Sequence, residues 1–377
     1  DFSAFVLFQT QQIEEIEYDE GAYHVSCRDI QRAQRKDIFE PVTTTLRLAI
    51  SETDTTIPVY DTSKFIAVAH GSSYSDGPNI TCGYIKIGEE VIRYTGKTAD
   101  SFTGCTRGAL NTKAVAHSVD ANASAERRTK VEEYIYLELP AVKLAYAILT
   151  GKIHNTANTL PDHWHLGIDP AEWIKESDFT ENFPDVWDPA NDSNGLILRF
   201  VGLKKTDGKT FLEKEIYLLL GAFSPIYSDG KLGLKRRVSL VGHSAPVAVL
   251  TERDIVSHSG LTHDMGSMHN VFRVEWNHNG KEFTRIHQFS DAYSYDIHGK
   301  SDLKTLQFRG LYGSRSTDAT VWKILNFLRD GYSSPPLRLK VDLLPSLSQF
   351  EVGDCVQVSV ENLQDYTGNT EKIDRAF

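Results

Sequence analysis

Alternation of apolar and polar residues is the commonest pattern along the chain, and it predicts strands. Across residues 337–343, Leu and Val alternate with Arg, Lys and Asp, and residues 352–360 show a similar alternation. Because successive side chains of a strand point to opposite faces, this pattern predicts strands with one face buried and the other in water.

Turn residues between alternating runs predict three hairpins. Asn-Gly and Asp-Gly supply the positive φ angles that tight turns need. The predicted hairpins are residues 272–286, with Asn279-Gly280 at the turn, residues 84–94, with Gly88-Glu89-Glu90, and a shorter one at Asp229-Gly230.

Helices are fewer, and each is marked by a cap or by apolar residues at a spacing of three and four. The first predicted helix follows the caps Ser316-Thr317-Asp318 and ends at Gly331, ahead of Pro335-Pro336. The others are a helix through Leu212 and Leu220 that ends at Gly221, one from Pro140 to Gly151 with apolar residues on every side, and a short one that starts at Asp169-Pro170.

These patterns predict a strand-rich α+β protein in which helices are separate insertions without a repeated βαβ order. The length of 377 residues suggests two or three domains. We expect residues 1–41 and 126–240 to form one region of strands and helices. Residues 42–125 are expected to be a small inserted β domain, and residues 241–377 a second region of strands that continues beyond the fragment.

Composition and charge exclude some classes of protein. Charged residues are 24% and apolar residues 40%, which are values of folded rather than disordered chains. Lys and Arg number 40 and Asp and Glu number 51, so the formal net charge is −11. A generic nucleic-acid binder neutralises phosphates with basic side chains, so we expect no stable binding of nucleic acid.

The four cysteines are too few for a disulfide framework in a chain of this length. No two of them have the spacing of a zinc ribbon or an iron–sulfur site, so we expect four reduced, metal-free thiols. They are Cys27, Cys82, Cys105 and Cys355.

No run of residues reaches the ~20 apolar positions of a membrane span. The best candidate, residues 141–149, is short and contains Lys143. The chain starts at Asp1 without a Met or a signal peptide and stops at Phe377 soon after a strand-like run, so we expect a fragment of a longer polypeptide, made in the cytoplasm.

His163-Trp164-His165 is the most prominent candidate for chemistry. Two His separated by one residue share a face of a strand, and with Asp162 or Asp169 as third ligand they could bind a metal. The surrounding residues are rich in turn formers, so packed imidazoles are the favoured interpretation and a metal is the alternative.

The remaining candidates lack a diagnostic spacing. His258, His263 and His269, with Asp264, match no zinc motif and are expected to lie in a polar loop. Gly242-His243-Ser244 is not a nucleophile elbow. Gly88, Gly96, Gly104 and Gly108 are too far apart to hold a phosphate and are expected in turns.

Tryptophans near carboxylates could serve in glycan binding or glycoside hydrolysis. Packing in a core or an interface is the favoured interpretation of these residues. They are Trp164, Trp173 and Trp187, with Asp162, Asp169 and Asp185.

Residues 83–117 resemble a module that recurs in tail proteins of bacteriophages. Its form is roughly I-x-I-G-x-E-x-I-x-Y, then F-T-G-x-x-R-G, then T-x-A-x-x-H. Here the first part is residues 85–94, the second is residues 102–108, and the third comprises Thr112, Ala114 and His117. Several tail components share this module, so it indicates a tail protein without specifying which.

A second resemblance is more specific. Residues 142–151 and 160–168 resemble the following part of tail hub proteins, also called tail-tip or baseplate hub proteins, of long-tailed bacteriophages. Residues 351–354, Glu-Val-Gly-Asp, extend the similarity towards the end of the chain. Hub chains are often longer, so an absent portion could hold a lytic or fibre-attaching domain.

The resemblance implies β-barrel domains like those of tail-tube subunits, with an inserted small β domain and helical segments. It implies a homotrimer that closes the distal end of the tail tube in the virion, takes part in host attachment and lets DNA pass through transiently. The implied neighbours are the distal tail protein, the tape measure protein, and tail fibre or receptor-binding proteins.

No catalytic, cofactor-binding or metal-binding residue follows from the resemblance, so we expect no enzymatic activity, no cofactor and no metal. Two other classes stay open on the residues alone. One is a tail-associated cell-wall or polysaccharide hydrolase, and the other is a receptor- or glycan-binding tail module.

Overall fold

The structure of the protein is a computed structural model. The described residues are 10–19, 22–28, 30–66, 83–119, 128–153, 159–181, 196–236, 246–259, 261–279, 282–299, 301–313, 318–335, 337–344, 347, 350–364 and 370–376.

Among the described residues, 38% lie in strands and 25% in helices, which confirms the predicted strand-rich α+β class. The strands form many small sheets of two to four members. The helices lie between them, as predicted from their separate positions in the sequence.

The strands of residues 10–133 are short except for the first two. They are β1 Gln12–Asp19, β2 Ala22–Arg28, β3 Asp37–Ile38, β4 Thr43–Thr45, β5 Ile57–Pro58, β6 Gly83–Ile87, β7 Glu90–Tyr94, β8 Gly96–Lys97, β9 Ser101–Thr103 and β10 Lys130–Glu133. A 3₁₀ helix covers Ile30–Arg35 and another Ala109–Asn111.

The described part of residues 42–133, which we call the small β unit, has its own apolar cluster. Its sheets have the orders β4-β10-β6-β7 and β5-β9-β8. Strands β6 and β7 form the predicted hairpin, with Gly88 at φ 58° in the turn. Strand β6 alternates buried and half-buried residues, so Ile85 and Ile87 point into the cluster beside Tyr94 and Phe102.

Most helices lie between residues 141 and 220, among five strands. The strands are β11 Tyr136–Pro140, β12 Ile197–Val201, β13 Thr206–Asp207, β14 Ala222–Phe223 and β15 Lys235–Arg236. The helices are α1 Ala141–Thr150, the 3₁₀ turn Asp162–Trp164, α2 Pro170–Trp173, α3 Glu176–Glu181, α4 Gly208–Phe211, a π-helical turn Leu212–Tyr217, and α5 Leu218–Leu220.

Helix α1 lies at the centre of the largest apolar cluster, and all ten of its residues are buried. This confirms the prediction from its apolar residues on every side. Pro140 is its N-cap rather than a first-turn residue, and Gly151 ends it at φ 79°. The helical run from α4 to α5 ends at Gly221, as predicted, and Asp169 caps α2.

The C-terminal half contains the remaining strands and two longer helices. The strands are β16 Ala248–Thr251, β17 Ile255–His258, β18 Thr262–His263, β19 Val271–His278, β20 Phe283–Ser290, β21 Leu303–Gln307, β22 Leu337–Arg338, β23 Val341–Leu343, β24 Val356–Gln364 and β25 Thr370–Ala376. The helices are a 3₁₀ turn Met265–Ser267, α6 Ala292–His298 and α7 Asp318–Tyr332.

Strands β19 and β20 form the predicted hairpin, and β21 joins it parallel to β19. Phe272, Val274 and Trp276 face inward and belong to the same cluster as α1 and as Val321 and Leu325 of α7. Residues from both sides of the predicted boundary at 240 therefore share one core. The domain boundaries themselves stay a prediction.

Three predicted boundaries are wrong. The alternating residues 337–343 form two short strands, β22 and β23, because their partner strands β18 and β17 are also separate. The strand expected from residue 352 starts at Val356, since Gly353 at φ 93° forms a turn. Gly331 lies inside α7, because the helix continues to Tyr332 rather than ending there.

Candidate functional site

The candidate site lies in the small β unit, where the residues of the first resemblance meet. Glu90 begins β7 directly after the Gly88-Glu89 turn, and its side chain is fully buried. Arg107 and His117 come from the loop after β9, and their side chains are nearly buried. The Glu, Arg and His of the motif thus converge although 27 residues separate the first from the last.

Both oxygens of Glu90 accept hydrogen bonds. Arg107 donates from Nε to Oε1 and from Nη2 to Oε2, each at 2.8 Å. The backbone N–H of Gly108 donates to Oε1 at 3.1 Å, and that of Val115 donates to Oε2 at 3.3 Å. His117 Nε2 lies 2.8 Å from Oε2. This group of three side chains is called the Glu90 centre below.

The loop that carries Arg107 has a conformation that brings Arg107 close to Glu90. Gly108 has φ 61°, and a Cβ there would lie 2.9 Å from the carbonyl oxygen of Thr112. Thr112 Oγ1 accepts from the N–H of Val91 at 3.0 Å, which ties the loop to β7. Arg107 also donates to the carbonyls of Ser51 and Val115. The motif residues therefore fix a loop against a hairpin.

Burial and hydrogen bonding act on Glu90 in opposite directions. Burial disfavours the charged form, but the bonds from Arg107, His117, Gly108 and Val115 outweigh it and lower the pKa of Glu90 to about 2. Glu90 is therefore ionised at neutral pH. A carboxylate with so low a pKa and no exposed oxygen is a poor general base, so its chemistry here is that of a structural ion pair.

His163 and His165 do not come together as metal ligands. His163 Nε2 lies 2.7 Å from Oε2 of Glu133, the last residue of β10. His165 lies 3.7 Å from Asp162 and packs on Gly151, where a Cβ would come within 2.6 Å of the ring. Burial, then the Lys36 ammonium, lower the pKa of His165 below its ordinary value although Asp162 acts in the opposite direction.

The same segment closes the C-terminal end of α1. The N–H groups of Leu166 and Ile168 donate to the carbonyls of Ile148 and Leu149 at 2.8 and 2.9 Å. Helix ends leave carbonyls without partners, and a buried helix must find them elsewhere. Both halves of the second resemblance, residues 142–151 and 160–168, therefore belong to one packed unit.

The other predicted candidates lie apart from one another. His258 and His263 are exposed on β17 and β18 rather than in a loop, while Asp264 caps the turn Met265–Ser267 and pairs with Arg338 at 2.5 Å. His269 lies 3.6 Å from Asp302. Within the described ranges, no group of three or more His, Cys, Asp or Glu is placed to hold a metal ion.

The tryptophans do not form a surface platform in the described part of the chain. Trp164 is buried and Trp173 packs on the main cluster, while Trp187, Asp185 and Gly242-His243-Ser244 lie outside the described residues. Asp169 accepts the N–H of Ala171 as a helix cap.

Three of the cysteines fall within the described residues. Cys27, Cys105 and Cys355 are free thiols, and burial raises the pKa of Cys105 to about 12. Cys82 lies outside. No helix among the described segments is long and apolar enough to cross a bilayer.

Sequence reasoning identified the motif but did not assign a role to Glu90, Arg107 or His117. The sequence did contain evidence for their contact, since the motif has one acid and two groups that can bind it. Glu133 was missed altogether, because nothing near it in sequence points to His163 30 residues away.

No protein-family model matches the chain, and no curated protein matches it. Among solved structures, it is similar to prophage tail protein gp18 of Listeria monocytogenes, at 11% identity and a TM-score of 0.30, over 89% of each chain. A 43 kDa tail protein of prophage MuSo2 from Shewanella oneidensis has 9% identity and a TM-score of 0.29, over 97% of this chain and 93% of that chain.

A chain in the virion of a native gene transfer agent particle has 12% identity and a TM-score of 0.35, over 97% of this chain and 78% of that one. With TM-scores below 0.5, these likenesses do not carry a functional assignment.

Proposed function

We propose that this chain is a structural protein of a long-tailed bacteriophage tail, and specifically the hub at its distal tip. The observation that carries the proposal is the Glu90 centre. The acid, the arginine, the histidine and the last glycine of the tail-protein motif all bond within one buried site. A chance match in sequence gives no reason for these positions to meet.

The assignment to the hub, rather than to another tail component, depends on the second resemblance. Residues 142–151 and 160–168 bond to each other at the end of α1, so the resemblance covers one folded unit. In the proposed role three copies surround the tail axis and close the tube.

The proposed hub contacts the distal tail protein, the tape measure protein and fibres or receptor-binding proteins, and lets DNA pass without binding it stably. The role is non-enzymatic. Hydrolysis needs an activated nucleophile or a metal-bound water, whereas Glu90, His117 and His163 are engaged in structural contacts. No observation favours the hydrolase or the glycan-binding module over the hub.

Labelling on intact particles tests the proposed location. An antibody against residues 83–117, prepared with the folded chain, is expected to label the tip of the tail and not its length or the capsid. Particles made without the chain are expected to carry tubes that lack a closed tip. Label along the whole tube, or closed tips in the absence of the chain, would contradict the proposal.

A further inference from the structure

Strands β1 and β2 form a hairpin that stands apart from the apolar clusters. They pair from Gln12↔Arg28 to Asp19↔Ala22, and within the described residues they form a sheet of only two strands. The register shifts between Ile13 and Glu15, so β1 contains one extra residue there.

The hairpin has an apolar face and an acidic face. Tyr18↔Tyr23, Ile16↔Val25 and Ile13↔Cys27 are directly opposite pairs, and the side chains of such pairs lie on one face. The shift keeps Ile13 in phase with Ile16, since without it Glu14 would pair opposite Cys27. Glu15, Glu17 and Asp19 point to the other face.

The apolar face is open to water in the single chain. Ile13, Ile16, Tyr18, Tyr23 and Val25 are each between 50% and 74% exposed, and Cys27 is exposed as well. Two-stranded hairpins are marginally stable in water, and contiguous exposed apolar faces mark interaction surfaces.

The two strands carry different charges, and this identifies the partner of each edge. Strand β1 contains Glu14, Glu15, Glu17 and Asp19 and no basic residue. Strand β2 contains His24 and Arg28 and no acidic residue. Pairing β1 with β1 of a second copy would bring acidic side chains opposite each other, which is unfavourable. Pairing β1 with β2 of a second copy repeats the combination found inside the hairpin, where Glu17 is opposite His24.

We propose that this hairpin is a self-association surface, in which β2 of one copy pairs antiparallel with β1 of a second copy of this chain. Strands β1 and β2 run in opposite directions within one copy. A rotation about an axis along the strands leaves these directions unchanged, so β2 of one copy is antiparallel to β1 of the next. Such a contact uses different surfaces on the two copies and repeats until a ring closes. Closure with the apolar side chains inside removes the open edges and the apolar face from water.

The contact is weak for each pair of copies. The apolar face is about 25 Å long and about 10 Å wide, or about 250 Å², against about 800 Å² per partner in a stable complex. Association is therefore expected to depend on concentration. The number of copies rests on the proposed hub, in which three copies would supply six strands. The pairing of β2 with β1 does not depend on the hub.

Cross-linking of chains that keep the buried Cys105 and carry one introduced, exposed cysteine tests the pairing. In the full chain with Cys27, Cys82 and Cys355 replaced by Ser, one protein carries Glu17→Cys on β1 and the other His24→Cys on β2. Mixed at high concentration under mild oxidation, they are expected to give disulfide dimers of one protein with the other. If the mixture gave only dimers of two His24→Cys chains, or no dimers, the proposal would be overturned.

Sedimentation of the full chain tests the apolar face. The pair Ile16→Lys with Val25→Lys is expected to weaken association about tenfold or more. The control pair Leu48→Lys with Val256→Lys replaces exposed apolar residues elsewhere and is expected to leave it unchanged. Equal effects of the two pairs would overturn the proposal.

The two proposals fail in different ways. A trimer that persists in the Ile16→Lys, Val25→Lys chain overturns the hairpin contact and leaves the hub intact. Mixed dimers in an assembly of another copy number support the hairpin contact and contradict the threefold hub.

Discussion

Two buried glutamates of the small β unit differ in how fully their charge is compensated. Glu90 receives bonds from Arg107, His117 and two backbone N–H groups, and both of its oxygens are used. Glu133 faces His163 and the N–H of Val42, both at Oε2, while Oε1 has no hydrogen-bond partner among the described residues.

Their positions explain the difference. Glu90 lies inside the unit, where one loop and one hairpin close around it. Glu133 ends β10, at the point where the chain leaves the unit for β11, and Val42 marks the entry on the other side. The first glutamate fixes the inside of the unit, and the second ties the unit to the main core through His163. We therefore expect the Glu90 centre to matter more for folding than the Glu133 contact.

The largest effect is expected from Glu90→Gln. The change leaves the nearly buried Arg107 without its countercharge, and breaking a buried ion pair in this way costs about 3–5 kcal/mol of the free energy of unfolding. Glu89→Gln is the matched control, since Glu89 is the exposed neighbour in the same turn. Denaturant unfolding measures both, and equal losses would contradict the assigned role of Glu90.

Acid is expected to remove the same stabilisation. The pKa of Glu90 is about 2 in the folded chain and near 4.5 when unfolded. The contribution is therefore complete above pH 4.5 and is lost as the pH falls towards 2. Unfolding followed against pH should show this loss in the wild type and a shallower slope over that window in Glu90→Gln. The same slope in both would show that other groups cause it.

Glu133→Gln is expected to cost less, about 1–2 kcal/mol, because one charged hydrogen bond is lost and one oxygen had no partner already. Glu132→Gln on the opposite face of β10 is the control, with a half-exposed side chain. A double-mutant cycle with His163→Gln measures the coupling of the pair. A loss as large as that of Glu90→Gln would show that Glu133 matters as much for folding as Glu90.

The smallest effect is expected at His165, which packs on Gly151 at the end of α1. Because its pKa is lowered on folding, the unfolded chain takes up a proton first as the pH falls below 6.5, and stability decreases from there. His165→Gln should flatten the stability curve just below pH 6.5. The exposed His258→Gln should not, and an unchanged curve for His165→Gln would contradict the assignment.

Local patterns predicted local structure well and distant pairing poorly. Three predictions that depend on neighbours in sequence were confirmed. They are the Asn279-Gly280 hairpin, the Asp169 cap and the burial of α1, whose apolar residues lie on every side. The split of residues 337–343 depends on partner strands about 80 residues away, which no local pattern contains.

The candidate site shows the same division. The sequence identified Glu90, Arg107 and His117 as motif residues. That their side chains meet could be seen only in the folded structure. His163-Trp164-His165 predicted packed imidazoles or a metal, and its contact with Glu133 depends on where β10 ends. The two-faced hairpin was missed because the extra residue in β1 interrupts its alternation.

A density map of the intact tail tip tests the proposed hub, since it locates and counts the chain at once. We expect three copies around the tail axis at the distal end of the tube. One copy on the axis, or six copies outside the ring, would contradict the hub assignment.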